Sequence, residues 1–104
     1  MANYVLVFRG GSVPETAEEQ QKVMADWGAW FGGMGDKLVD GGNPFGASAT
    51  VGPDGTVSEG AASALTGYTI IAADDLAAAS EMSKSCPILV DGGGSIEVYE
   101  TMVM

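Results

Sequence analysis

The sequence predicts one domain of the α+β class, in which an antiparallel sheet carries helices on one of its faces. Two segments rich in β-branched and aromatic residues, 4–9 and 68–73, each precede a segment with helical periodicity. A third, alternating segment at 95–102 lies near the C-terminus. Because 104 residues fit one domain, we assign residues 1–104 to a single unit.

The first predicted strand runs from Tyr4 to Arg9 and is apolar on both faces. Tyr4, Leu6 and Phe8 share one face, and Val5 and Val7 share the other. A strand that is apolar on both sides is typical of a central position in a sheet covered on two sides.

A helix is expected to begin near Pro14 or Thr16. Thr16 and Glu19 have the spacing of a capping box, and Ser12 and Glu15 offer a second one. Large apolar residues then recur at helical spacing, although Gly32 and Gly33 leave open whether the helix ends there or bends. The members of this stripe are Val23, Trp27, Trp30, Phe31, Met34 and Leu38.

The middle of the chain predicts loops around one hairpin. Residues 39–46 are expected to form a loop, and 47–51 and 56–58 two short strands joined by the turn Gly52-Pro-Asp-Gly55. Residues 59–66 are expected to connect this hairpin to the strand at 68–73.

A second helix is expected after that strand, with Asp74 as its cap and Asp75 in its first turn. Pro87 is expected to stop it, and 91–94 to form a loop. The last strand places Ile96 and Val98 on one face and Glu97 and Tyr99 on the other. The buried side of the second helix is predicted to consist of Leu76, Ala79, Met82 and Cys86.

This order of elements predicts a ferredoxin-like subunit, with an antiparallel sheet and two helices on one face. The opposite face of the sheet then needs cover, since Val5 and Val7 are apolar. A chain of this length has little left to supply that cover, so we expect a second copy of the chain to provide it.

The sequence resembles the YCII-related domain, also called the DGPF-domain group, over most of its length. The resemblance rests on the order of several segments: Tyr4-Val-Leu-Val-Phe8, Trp27 with Trp30, Ser48-Ala-Thr-Val51 before Asp54-Gly55, Gly67-Tyr-Thr-Ile-Ile-Ala-Ala-Asp-Asp-Leu76, Cys86-Pro87 and Gly94-Ser-Ile-Glu-Val98. It implies subunits that pair sheet to sheet as a dimeric α+β barrel, a cleft between helix and sheet, and no settled activity. The chain departs from the group in two ways. It has no histidine for the proposed His–Asp pair, and Ser58-Glu-Gly-Ala-Ala62 lacks the Pro-Phe of the DGPF segment.

Charge and composition argue against several classes of function. The net charge is −10, with 4 basic and 14 acidic residues, which disfavours nucleic acid and anionic membranes as partners. Without histidine, the usual metal ligand and the usual general base are absent, and we predict no cofactor and no metal. A single cysteine and no recognisable secretory signal favour a cytoplasmic protein.

Five residues are candidate ligand contacts. Trp27 and Trp30 offer a flat apolar wall, although aromatic residues at helical spacing more often pack in a core or an interface. Arg9, the single arginine, has a planar fork that suits a carboxylate, and a surface ion pair is the alternative. Glu59 and Tyr68 complete the predicted site as polar contacts.

No catalytic residue can be assigned from the sequence. Asp26, Asp40 and Glu59 could act as bases only if their surroundings raised their pKa, and solvated surface is the ordinary alternative for each. Cys86 is predicted to be structural, since no histidine can activate it and a helix C-terminus disfavours a thiolate.

Three hypotheses of function follow. The favoured one is a non-catalytic binding or interaction module acting as a homodimer, with a pocket between the first helix and the sheet. The second is a cofactor-free enzyme on a small organic, possibly anionic, substrate; it requires a carboxylate in a cavity beside Trp30 with Arg9 within reach. The third is a structural partner protein with a filled interior.

Overall fold

The computed structural model describes residues 1–11, 15–90 and 93–103. Over these residues the chain is an α+β domain with antiparallel strands, which confirms the predicted class. The strands are β1 (Ala2–Arg9), β2 (Leu38–Asp40), β3 (Ala49–Val51), β4 (Val57–Glu59), β5 (Leu65–Ala73) and β6 (Ser95–Glu100). The helices are α1 (Ala17–Met34), α2 (Leu76–Ser83) and α3 (Pro87–Val90).

The main sheet has the strand order β2-β5-β1-β6, with β1 in the central position that its two apolar faces predicted. Leu6 lies opposite Thr69 of β5 and Val98 of β6. Tyr4, Leu6 and Phe8 are buried on the side of the helices, which we call the inner face. Val5 and Val7 lie half-buried on the other side, the outer face.

Helix α1 begins at the predicted cap. The Thr16 side-chain oxygen accepts a hydrogen bond from the Glu19 backbone N–H at 3.1 Å, and the Glu19 carboxylate accepts one from the Glu15 N–H at 3.0 Å. The alternative start at Pro14 and the second capping box at Ser12 lie outside the described residues. The helix passes through Gly32-Gly33 and ends at Met34, where Gly35 adopts a positive φ of 58°.

Two predictions for the segment after α1 were wrong. Leu38 belongs to β2 rather than to the helical stripe, and Leu38–Asp40 is a strand rather than a helix end and a loop. The reason is the reversal at Gly35, which turns the chain back so that Leu38 pairs with Ile71 on β5. The edge position next to β5 is therefore taken by β2. The predicted hairpin does form, but as a separate two-stranded sheet of β3 and β4.

The second helix also differs from its prediction at both ends. Its cap is Asp75, whose carboxylate accepts from the Ala78 N–H at 2.8 Å, and not Asp74. It ends at Ser83, before Cys86, and Pro87 opens the short helix α3 because proline suits a first helical position. Residues 91–92 of the predicted loop lie outside the described part of the chain.

Aromatic rings fill the space between α1 and the inner face. Trp27 packs edge-on against Phe8, with ring centroids 5.3 Å apart, and Trp30 packs against Trp27 at 5.6 Å. Helix α2 and Cys86 close the other half of the layer. The buried core comprises Tyr4, Leu6, Phe8, Trp30, Ile71, Ala73, Ala79 and Cys86.

Candidate functional site

Trp30 joins the two long helices. Its ring is 7% exposed, and its indole N–H donates a hydrogen bond to the Met82 carbonyl oxygen at 3.1 Å, near the end of α2. This bond satisfies one of the carbonyls that a helix leaves unpaired at its C-terminus. It also fixes the distance between α1 and the α2–α3 segment, so that a groove remains open beside the ring.

The α1–α2 groove has a volume of about 770 Å³ and lies between α1 and the segment from Met82 to Pro87. Part of its lining is apolar, and it includes the small exposed part of Trp30 and two partly buried methionines. The apolar lining consists of Ala29, Trp30, Gly33, Met34, Met82 and Pro87, and the polar lining of Lys22, Asp26, Lys37 and Ser85.

Three charged residues also line the groove, namely Lys22, Asp26 and Lys37. Lys22 and Asp26, one helical turn apart on α1, form an ion pair with 2.8 Å between Nζ and Oδ2. Lys37 follows the C-terminus of α1, where a cation compensates the helix dipole. Ligands in this groove would therefore meet both apolar and charged side chains, a combination that small-molecule sites use.

The five predicted ligand contacts do not converge on one place. Trp30 lines the groove, whereas Trp27 lies beneath it and packs on Phe8. Arg9 and Tyr68 lie on the outer face of the sheet, and Glu59 ends β4 in the separate hairpin. The space between α1 and the sheet, where the pocket was predicted, is occupied by the rings of Trp27 and Trp30.

Arg9 and Tyr68 have partners of their own on the outer face. Arg9 approaches Glu97 on β6, with 3.9 Å between Nη2 and Oε1, and both side chains are about half exposed. The Tyr99 hydroxyl donates to the other oxygen of Glu97 at 3.2 Å, and the hydrogen bond to this carboxylate raises the pKa of Tyr99. Tyr68 stacks on Phe45, with centroids 5.8 Å apart.

The three candidate bases are also separated. Asp26 lines the groove next to Trp30. Asp40, at the end of β2, accepts a hydrogen bond from the Gly42 backbone N–H at 2.8 Å, which is a local turn contact. Glu59 is exposed in the hairpin. Of these three carboxylates, Asp26 alone lies beside the groove.

Cys86 is fully buried between α2 and α3. Burial raises the pKa of its thiol from 9.0 to about 11, against a smaller lowering by a backbone hydrogen bond at Ile88. The thiol is therefore protonated at neutral pH, as its predicted structural role requires. The cause is burial in the core rather than a position at the end of α2.

Several groove residues were not predicted as ligand contacts, although Asp26 was predicted as a possible base. Asp26 and Gly33 lie four residues before and three after Trp30, so helical spacing could have identified them as its neighbours. Lys22 and Ala29 lie on the same side of α1. Ser85 and Pro87 carry no such signal, because their place in the groove depends on how α2 docks against α1.

The described residues contain neither a cluster of metal ligands nor a helix that could span a membrane. No group of three or more metal-ligating side chains converges in the described part of the chain. Within the same residues, none of the helices combines the length and the hydropathy needed to cross a bilayer.

Comparison of the chain with known family models, with curated proteins and with solved structures finds no match. The resemblance to the YCII-related domain therefore stays a prediction.

Proposed function

We propose that this protein is a non-catalytic small-molecule-binding module that acts as a homodimer of ferredoxin-like subunits. The observation that carries the binding proposal is the α1–α2 groove with the edge of Trp30 at its centre. Its volume of about 770 Å³ falls in the range of sites for small organic ligands. A flat, largely apolar ligand would cover Trp30, Met34 and Met82 and remove their exposed surface from water.

A cofactor-free enzyme is the second candidate, and Asp26 is the observation in its favour. Asp26 lies beside Trp30 in the groove, as that hypothesis requires of a carboxylate base. Arg9, its expected partner for an anionic substrate, lies on the outer face of the sheet with Glu97. Asp26 is also already engaged in an ion pair with Lys22 at 2.8 Å. Binding without catalysis is therefore the better-supported proposal.

The homodimer is supported by the exposed side of the sheet. The outer face carries a continuous group of apolar and aromatic side chains, because Val5 lies opposite Ile70 and Tyr99, and Val7 lies opposite Tyr68. The strand order β2-β5-β1-β6, with helices on the inner face, agrees with the proposed ferredoxin-like subunit and supports it. Two such sheets packed face to face would cover each other's apolar side chains.

The binding proposal can be tested by filling the groove. Gly33 lines the groove, and a Cβ atom added there meets no atom within 4 Å, so Gly33→Leu is expected to occupy the site without a backbone clash. Gly28, also on α1, has equally open surroundings but does not line the groove, and Gly28→Leu is the matched control. Both changes raise helix propensity by up to about 1 kcal/mol, so neither is expected to unfold the protein.

The readout is the fluorescence of N-phenyl-1-naphthylamine, a neutral aromatic probe. We expect the original protein and Gly28→Leu to bind it equally, and Gly33→Leu to bind at least 10-fold more weakly. Equal binding by all three proteins would place the probe elsewhere, and no binding by any of them would refute a small-molecule site. Asp26→Asn is expected to keep the probe affinity of the original protein, because it removes the charge beside Trp30 without filling the groove.

The homodimer can be tested by light scattering at micromolar concentration. We expect a mass of twice the 10.6 kDa of the chain. Val5→Glu, in the centre of the outer face, is expected to give folded monomers, since two facing sheets would bury the added charges. Met24→Glu adds the same charge on the exposed side of α1, where Met24 is 75% exposed, and is expected to leave the dimer intact.

A further inference from the structure

The hairpin formed by residues 48–60, which we call the arm, stands apart from the rest of the fold. Strands β3 and β4 pair with each other in a sheet of their own. The hydrogen bonds of the arm stay within 48–64, including those from Thr50 Oγ1 to the Gly60 carbonyl and from the Ala61 N–H to Ser48 Oγ. Among the described residues, the hydrogen bonds of the arm therefore join it to itself and to 61–64 rather than to the main sheet.

The dimensions of the chain agree with an arm that projects from the domain. The Cα radius of gyration is 15.1 Å, whereas a compact chain of this length has about 13 Å. The principal extents are 44, 40 and 19 Å, which describe a thin, broad slab. A slab of this thickness has room for one sheet and one layer of helices, with a wide face left open.

The arm exposes two valine side chains to water, which is unfavourable for an isolated hairpin. Val51 and Val57 lie directly opposite each other on one face, and they are 66% and 67% exposed. A two-stranded hairpin without a packed face is marginally stable in water. Packing of this valine face on a further surface would remove both side chains from water.

We propose that the arm is part of the dimer interface and that its valine face packs on a second copy of this chain. This inference rests on the proposed homodimer. Four strands about 4.8 Å apart and about 20 Å long give the outer face an area of only about 400 Å². A stable dimer buries about 800 Å² of accessible surface on each partner, so a flat outline of this size is small for such an interface. The arm provides further apolar surface, and the stack of Phe45 on Tyr68 joins its base to the outer face.

Sedimentation equilibrium on two arm variants tests the proposal. Val57→Asp places a charge on the valine face and is expected to raise the dimer Kd at least 10-fold. Ser58→Asp places the same charge one residue further on, on the opposite face of the hairpin, and is expected to change the Kd less than twofold. An unchanged Kd for Val57→Asp, together with dissociation by Val5→Glu, would overturn the role of the arm and leave the homodimer standing. A monomeric original protein would refute both.

Spin labelling of introduced cysteines gives a second test, which does not depend on weakening the dimer. Because Cys86 is buried and its thiol pKa is raised to about 11, a spin label reacts at an introduced cysteine only. On Val51→Cys the label is expected to lose mobility as the protein concentration passes the dimer Kd, and on Ser58→Cys it is expected to stay mobile. A label at position 51 that is equally mobile in monomer and dimer would contradict the proposal.

Discussion

The two faces of the main sheet share one backbone but differ in how they are covered. On β1, the inner-face residues Tyr4, Leu6 and Phe8 are exposed by 5% or less, whereas Val5 and Val7 between them are half-buried. The helices and their aromatic side chains supply the inner cover. Nothing in the described part of the chain lies over the outer face in the same way. An apolar strand face therefore indicates that other groups bury it, but it does not indicate whether they belong to the same chain or to another one.

The largest expected difference between the faces is in unfolding free energy. Leu6→Ala leaves a cavity in the closed inner core and is expected to cost about 2–5 kcal/mol at any protein concentration. Val5→Ala, its neighbour on the outer face, is expected to cost about 1 kcal/mol in dilute solution and more where the dimer forms. Urea unfolding at two concentrations measures both. Equal costs at low concentration would mean that the outer face is already closed within one chain.

The second expected difference is in how stability depends on pH, because the thiol of Cys86 is buried in the core on the inner side of the sheet. With a folded pKa of about 11 against 9.0, Cys86 stays a thiol where the unfolded chain already forms a thiolate. Its contribution to stability is therefore constant below about pH 9 and is lost as the pH rises from about 9 through about 11. Urea unfolding as a function of pH is expected to show this decline, and Cys86→Ala to reduce it. If Cys86 of the folded protein reacted with a disulfide reagent at pH 7 as fast as Cys86 of the protein unfolded in urea, the burial of this residue would be contradicted.

The strands that alternate most regularly were predictable because their period of two is a local property. β1 and β6 have the predicted faces, and each places its inner residues against the helices. β2 was not predictable in this way. Leu-Val-Asp is too short to show a period, and Leu38 continues the helical spacing of Met34. Its strand conformation depends on pairing with Ile71, which lies 33 positions away along the chain.

The candidate site was predictable only in part, for the same reason. The stripe on α1 identified Trp30, and its neighbours one turn away on α1 follow from helical spacing. Arg9 could have been excluded from a site with Trp27, because it shares the odd-numbered face of β1 with Val5 and Val7. The α2–α3 side of the groove required the docking of two helices, which no local pattern encodes.

A smaller loss of unfolding free energy is expected when a buried hydroxyl group is removed from the inner face. Thr69 is fully buried, and its Oγ1 donates to the Gly41 carbonyl oxygen at 3.0 Å, which helps to hold the segment after β2 against β5. Thr69→Val keeps the shape but removes this bond, at an expected cost of about 1 kcal/mol. Thr101→Val is the matched control, because its hydroxyl makes a similar 3.0 Å bond to the Asn3 carbonyl at an exposed position. Equal losses for both variants would contradict the difference in burial.

The smallest effect is expected from the polar cluster on the outer face. Glu97 interacts with Arg9 at 3.9 Å and accepts from Tyr99, but each partner is about half exposed, and such pairs contribute little. In dilute solution, Glu97→Gln is expected to change the unfolding free energy by less than about 0.5 kcal/mol. It is also expected to lower the pKa of Tyr99 toward 10, because the carboxylate that raises it is gone. Ultraviolet titration of the tyrosines measures the shift, with Glu59→Gln as the control, because Glu100 also raises the pKa of Tyr4. A loss above 1 kcal/mol that does not depend on protein concentration would show that this cluster is buried within a single chain, and the contrast between the two faces would then disappear.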